Sequence, residues 1–348
     1  MVMENKMSHL FIVISCALFL TVSWFGDAWG REYRILLISS ELGEPYQSVT
    51  QAMLAELSSA GYVQEKNLWI RSYSLDHFQG RAKNILRQEK NTVYDLICVF
   101  GTVGTIALKE LILDDPQYPK VVFSTVTDPV GIGVIDDFVS GPKHNFTGVS
   151  YPVPVDKRLD FVRALMPGAK KIGLIYADMP QSHSYNKWLS ELVENNAEYQ
   201  GYTIFFRKVA FVLSQGGKIR MAQEAVHHIK ELDPLVDLFL SPNDQLALQP
   251  IFPQTVYRLA TKPLLGVGKA DVMERRGATA AIYPSPESLG RQTAAILIRL
   301  LEGATIKSLV PEEAREFSMA FDMEKIHRFN IHIPPEFKLK AGVNIVGD

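Results

Sequence analysis

Short β-rich strings alternate with stretches of helical periodicity along nearly the whole chain, and this alternation restricts the fold more than any other feature. A strand is expected at 34–39, broken by Gly43 and Pro45. Over 45–60, Val49, Met53 and Leu57 recur every four residues, which puts one apolar stripe on a helix that stops at Gly61. A strand at 68–73, a helix at 78–90 and a strand at 95–100 follow. The last is apolar throughout, as suits a strand covered on both faces. Gly101-Thr102 opens a helix running to 113, and 120–124 reads as a fourth strand. Strands separated by helices in this order imply a parallel sheet with helices on both sides.

The same grammar restarts after a strand at 146–150 and a proline-stiffened crossing, Tyr151-Pro152-Val153-Pro154. Helices are expected at 155–166, 182–200, 218–232 and 254–260, and strands at 171–176, 203–209, 235–240, 263–267 and 278–282. Pro284-Ser285-Pro286 interrupts the chain again before a helix at 287–301 and a strand at 317–322. The tail, with Pro334-Pro335, reads as irregular. The fold class is therefore α/β, with two doubly wound parallel-sheet lobes joined by a multi-stranded hinge. The 348 residues fit this, because single cores stop growing near about 250–300 residues. Lobe one is expected to take 31–149 and 284–316, and lobe two 150–283 and 317–348.

The first thirty residues differ from the rest. Lys6 and His9 precede an apolar run over 10–22, and a weakly polar stretch ends in Ala28-Trp29-Gly30. That is the layout of a secretory signal cut after Gly30. The run falls short of the roughly 20 residues a spanning helix needs. Val13-Ile14-Ser15-Cys16 looks like a lipoprotein cleavage site, but a cut at Cys16 would leave hydrophobic residues at the new terminus. Beyond the signal there is one cysteine, Cys98, in the apolar string Leu96-Ile97-Cys98-Val99-Phe100, where it reads as a small buried side chain. A net charge of −2 and the lack of any basic block argue against nucleic acid as a partner.

Signatures of catalysis and cofactor binding are missing: no GxGxxG, no GxxxxGK, no HExxH and no GxSxG. Gly266-Val267-Gly268 lacks a third glycine. His227 and His228 are adjacent on a helix and should point to different sides, which suits no single metal. Neither cofactor nor metal is expected.

In doubly wound sheets a ligand sits beyond the carboxyl ends of the strands. That singles out the loops 39–45, 101–105, 125–129, 176–185 and 241–245. Thr102 can cap the helix behind it, whose free N–H groups can receive a carboxylate. Asp128 can pair with a ligand ammonium or simply hold the turn begun by Pro129. Asn243 and Asp244 offer amide and carboxylate groups, or a helix cap. Tyr46, Tyr176 and Tyr185 could cover an apolar body. His183 is the only histidine expected near the cleft, and no nucleophile accompanies it by motif.

Four stretches, in order and spacing, resemble the ABC-transporter substrate-binding proteins, the group that includes bacterial tryptophan- and phenylalanine-binding lipoproteins. They are Thr127-Asp128-Pro129-Val130-Gly131-Ile132-Gly133, Asn145-Phe146-Thr147-Gly148-Val149-Ser150, Arg158-Leu159 with 165–176, and Glu287-Ser288-Leu289-Gly290-Arg291-Gln292-Thr293-Ala294. The resemblance implies a periplasmic-binding-protein type I fold and a non-catalytic, extracytoplasmic protein. It would act as a monomer, capturing a small amino-acid-like or aromatic solute and handing it to ABC permease subunits. The alternative is a periplasmic sensor that signals to a membrane sensor kinase. By position, the resemblance brings Ser40, Thr102, Thr105, Thr127 and Asp128 to the cleft from lobe one, and Tyr176, Asn243 and Asp244 from lobe two. Relatives usually carry a His-Pro-Ala-Leu-Asp-like string where this chain has Glu41-Leu42-Gly43-Glu44-Pro45-Tyr46. They have small polar residues where it has Asp178-Met179-Pro180-Gln181-Ser182-His183. The resemblance therefore does not carry over the ligand's identity; Glu41, Tyr46 and His183, which lie in these strings, are candidates too.

Overall fold

The alternation expected from sequence is realised in a computed structural model that describes residues 31–214 and 216–347. The expected signal segment and Cys16 lie outside the described residues. In the first lobe, β1 (Tyr33–Ser39), α1 (Tyr46–Ser59), β2 (Leu68–Ser74), α2 (Gly80–Gln88), β3 (Leu96–Phe100), α3 (Thr102–Ile112), β4 (Lys120–Val126) and β5 (Phe146–Ser150) succeed one another. The strands lie in the order β2-β1-β3-β4-β5, with every neighbouring pair parallel.

Two-residue periodicity explains how both faces of this sheet are covered. Ile35 and Leu37 of β1 join Leu96 and Cys98 of β3 under Val49, Met53 and Leu57 of α1. Leu36 and Ile38 join Ile97 and Val99 on the other face, under Ala82, Ile85 and Leu108. Cys98 is free and fully buried, and that burial pushes its thiol well above the usual range.

The second lobe runs through α4 (Val155–Leu165), β6 (Lys171–Ala177), α5 (Pro180–Asn195), β7 (Thr203–Val209), α6 (Gly217–Leu232), β8 (Leu238–Leu240), α7 (Gln245–Leu248), α8 (Ile251–Leu259), β9 (Leu264–Gly266), α9 (Lys269–Met273) and β10 (Ala280–Pro284). After α10 (Pro286–Leu301) come β11 (Phe317–Asp322), α11 (Met323–Arg328), α12 (Pro335–Ala341) and β12 (Ile345–Val346). The sheet order is β12-β11-β10-β9-β8-β6-β7, antiparallel only at β10–β11. These are two α/β lobes of the expected class.

Three chain segments join the sheets: 151–154, the link between β10 and α10, and the stretch before β11. They are tied by Ser150 N–H to Glu312 C=O and by Ser285 N–H to Glu316 C=O, both 2.8 Å. Although α10 follows β10, it packs on the first lobe, where Leu289, Ala294 and Leu297 share the core with α1. Gly290 permits the close approach. A Cβ there would lie 2.4 Å from Ala52 Cβ and 2.6 Å from the Met53 backbone nitrogen. Gly290→Ala should therefore destabilise the protein by about 1–3 kcal/mol despite alanine's better helix propensity. Thermal melting against wild type checks this.

The tail is not irregular as expected. Pro335 sits in the first turn of α12, where its missing N–H costs nothing. The short helices α7 and α9 escaped notice because four and five residues carry no readable periodicity.

Candidate functional site

Both lobes share the strand order in which the sheet reverses direction beside its first strand, at β1/β3 in one lobe and β6/β8 in the other. The crevice outside the carboxyl ends of such strands is where ligands sit. Here the two crevices face one another and enclose a cavity of about 30 Å³. Its walls include Ser40, Tyr46, His77, Thr102, Thr125 and Thr127 from the first lobe, Gln181, Asn243, Asp244, Gln245 and Val267 from the second, and Tyr151 from the hinge.

On the first-lobe side, Gly101 makes the geometry possible. It sits at φ +88°, ψ 157°, and a Cβ there would lie 2.5 Å from Ser40 Oγ and 2.7 Å from the Tyr46 hydroxyl oxygen. Ser40 Oγ donates to Phe100 C=O (3.0 Å) and accepts from Gly104 N–H (2.9 Å), which pins the start of α3. Thr102 does not cap that helix. Its Oγ1 accepts from Thr127 N–H at 3.2 Å and so links the loops after β3 and β4. Tyr46 is buried, and desolvation, with Glu41 nearby, pushes its phenol well above the usual range. Thr125 (φ +57°) and His77 (φ +60°) hold left-handed backbone conformations, costly for the β-branched threonine and more readily adopted by histidine. Both line the cavity.

The second-lobe side is organised by Asp244. Its Oδ2 accepts from Ala177 N–H (2.9 Å) and Ser182 Oγ (2.7 Å), and its Oδ1 accepts from Leu246 N–H (2.8 Å). It thus fastens β6, α5 and α7 together across the switch point. Burial raises its carboxyl to about 6, although these hydrogen bonds pull the other way. Two carboxylate oxygens offer about four acceptor positions, and with the Ala247 N–H as a fourth donor these are all engaged. Gln181 Oε1 and the Nδ1 of His77 are buried without hydrogen-bond partners in the same cavity.

The lobes touch directly. Asn243 Nδ2 donates to Thr127 Oγ1 at 3.1 Å, and Val103 packs among second-lobe residues such as Leu246. Glu41 lies at the rim. His77 Nε2 is 3.2 Å from its carboxylate, and Lys218 Nζ reaches it from the other lobe at 3.7 Å.

Several candidates lie elsewhere. Asp128 Oδ1 accepts from Gly131 N–H at 2.7 Å, so its charge serves its own turn. Thr105 Oγ1 turns back to Gly101 C=O (2.9 Å). Tyr185 is buried in the second lobe, donating to Val153 C=O at 2.7 Å. Tyr176 packs against Phe206 and His183. His183 is half exposed and pairs with Asp178 at 2.7 Å, while His77, unremarked in the sequence, is the histidine in the cavity. His77 and Val267 follow β2 and β9, strand ends to which the same rule applies but which were not among the loops singled out from sequence. Tyr151 and Leu248 follow no such signal.

A cavity of roughly 260 Å³ adjoins the first and shares Pro45, Tyr151 and Leu248 with it. Away from the cleft, the expectation that His227 and His228 diverge needs correction. Their donor atoms and a Glu231 oxygen lie within 4.8 Å of one another. Arg207 nevertheless occupies that carboxylate and holds it down at about 2, so a cation would have to displace a guanidinium. Among the described residues no helix is long and apolar enough to cross a membrane.

Comparison with known proteins agrees with this architecture. A family model described as ABC transporter substrate binding protein matches residues 43–212. A tyrosine-binding protein of Clostridioides difficile is 24% identical over 292 residues, covering 81% of this chain and 78% of that protein. Among solved structures, a Streptococcus pneumonia ABC domain in complex with L-Trp superposes with a TM-score of 0.74 at 21% identity, covering 90% of this chain and all of that one. A ligand-free, open substrate-binding protein with adhesive properties from Clostridium difficile gives 0.67 at 19% identity, covering 90% and 98%.

Proposed function

We propose, from the chain's membership of the ABC transporter substrate-binding protein family, that it is the extracytoplasmic solute-binding component of an importer and captures an amino acid between its lobes. Asp244 carries this reading. It is a buried carboxylate on the cavity wall, paired with no cation among the described residues, facing a first-lobe wall of hydroxyls, the His77 ring and the start of α3. An α-amino acid presents the complementary pair. Its ammonium would go to Asp244 and Gln181 Oε1, and its carboxylate to Thr102, His77 and the free N–H groups of α3. The relatives that bind tyrosine and L-Trp favour an aromatic side chain.

A cavity of about 30 Å³ holds little more than a water molecule, so entry requires the lobes to part about the three hinge segments. Reclosure would rebuild the Asn243–Thr127 and Lys218–Glu41 contacts and present one joined surface to a permease. In this reading the lobes are residues 31–149 with 284–316, and 150–283 with 317–348. The protein is exported by its first thirty residues, works as a monomer and catalyses nothing.

A thermal-shift panel of the twenty amino acids and a set of sugars tests the proposal. Stabilisation by one or a few amino acids is expected. Stabilisation by sugars alone would overturn it.

A further inference from the structure

The larger of the two adjoining cavities has features that the zwitterion site does not use. Its walls add apolar Met273, Pro284 and Pro286 to the residues it shares with the smaller cavity, beside the charged Glu44, Lys269, Asp271, Glu274 and Arg276. At roughly 260 Å³ it approaches the size range of small-molecule pockets, whereas the polar cavity beside it does not. Tyr283 also lines it. This residue is 3% exposed, and its hydroxyl is buried without a hydrogen-bond partner. A buried hydroxyl left unpaired is costly, and native proteins rarely keep one without a use. Desolvation pushes this phenol well above its usual range, so it remains a neutral donor and acceptor.

We propose that this compartment takes the side chain of the ligand, that the side chain is an aromatic ring with a polar tip (a phenol or an indole), and that Tyr283 reads the tip. This rests on the amino-acid reading above. The polar cavity fixes the zwitterion, and Pro45, Tyr151 and Leu248 form the passage between the two. A ring lacking the polar atom would fill the same space but leave Tyr283 unpaired. Sites built to bond a hydroxyl or N–H discriminate against analogues without one.

The test is calorimetry on the full chain with L-tyrosine, L-tryptophan and L-phenylalanine, for wild type and Tyr283→Phe. Wild type should bind tyrosine, tryptophan or both at least about tenfold more tightly than phenylalanine. Tyr283→Phe should remove most of that preference and change phenylalanine binding less than about twofold. Because the hydroxyl has no internal partner, the variant's melting temperature should be unchanged or higher. Equal losses for all three ligands, or retained preference in the variant, would overturn the assignment while leaving the amino-acid reading intact. If wild type binds none of the three but binds another amino acid, only the compartment assignment fails. If it binds no amino acid, both fail.

Discussion

Asp244→Asn should weaken amino-acid binding by about 100-fold or more, the largest effect expected of any single polar substitution in the cleft. Removing one partner of a buried, hydrogen-bonded charge pair costs about 2–5 kcal/mol, because the ligand ammonium is left desolvated without a counter-charge. Whichever way the amide turns, its NH2 would face a backbone N–H, Ala177 at one oxygen position or Leu246 at the other. A stability loss of about 1–3 kcal/mol should accompany the lost affinity.

Titration of wild type separates the two effects. Burial raises the Asp244 carboxyl to about 6, from an ordinary value of 3.8. A carboxyl raised on folding stabilises the protein in acid, and that contribution is lost as pH rises from about 4 through 6. Asp271, raised to about 6 by the same cause, adds to the trend. Ligand binding should run the other way, because only the ionised carboxylate holds an ammonium. Affinity should be flat above pH 7 and fall toward about tenfold per pH unit below 6. The ligand-induced rise in melting temperature should therefore be smaller at pH 5 than at pH 7.5. An equal rise at both would remove Asp244 from the ammonium site.

Gly101→Ala should cost roughly 3–5 kcal/mol, combining backbone strain with overpacking. At φ +88° and ψ 157° the residue occupies a region essentially reserved for glycine. The added methyl would also meet Ser40 Oγ and the Tyr46 hydroxyl well inside contact distance. Neither neighbour can yield freely, since Ser40 is bonded to both Phe100 and Gly104. Chemical denaturation should show the midpoint fall, and binding should fail because α3 and the tyrosine wall move together. Wild-type-like stability would mean that the start of α3 is not held as described.

The alternation of strands and helices was readable because each rests on local patterning, such as Val49, Met53 and Leu57 on one helical stripe, or the unbroken apolar run of β3. The placement of α10 on the first lobe was also within reach, since two prolines bracket the break before it. Side-chain direction was not readable. Asp128 and Asp244 both follow strands and both looked able to bind an ammonium. What separates them is that Gly131 N–H lies within reach of one carboxylate, while the other is enclosed by β6, α5 and α7. Thr105 was lost to the cleft by a hydrogen bond to its own helix, a common fate of threonine one turn into a helix. Tyr151 was missed because a residue in a proline-stiffened crossing belongs to neither lobe's pattern. It faces both cavities only once the hinge has formed.

Calorimetry with L-tyrosine beside its deaminated analogue, 3-(4-hydroxyphenyl)propionate, addresses capture of a zwitterion most directly. The two molecules share carboxylate, chain length and ring, and differ in the ammonium that Asp244 is argued to hold. Tyrosine should bind, and the analogue should bind at least about 100-fold more weakly at pH 7.5, the difference narrowing as pH falls below 6. Equal affinity for the two at both pH values would contradict the account.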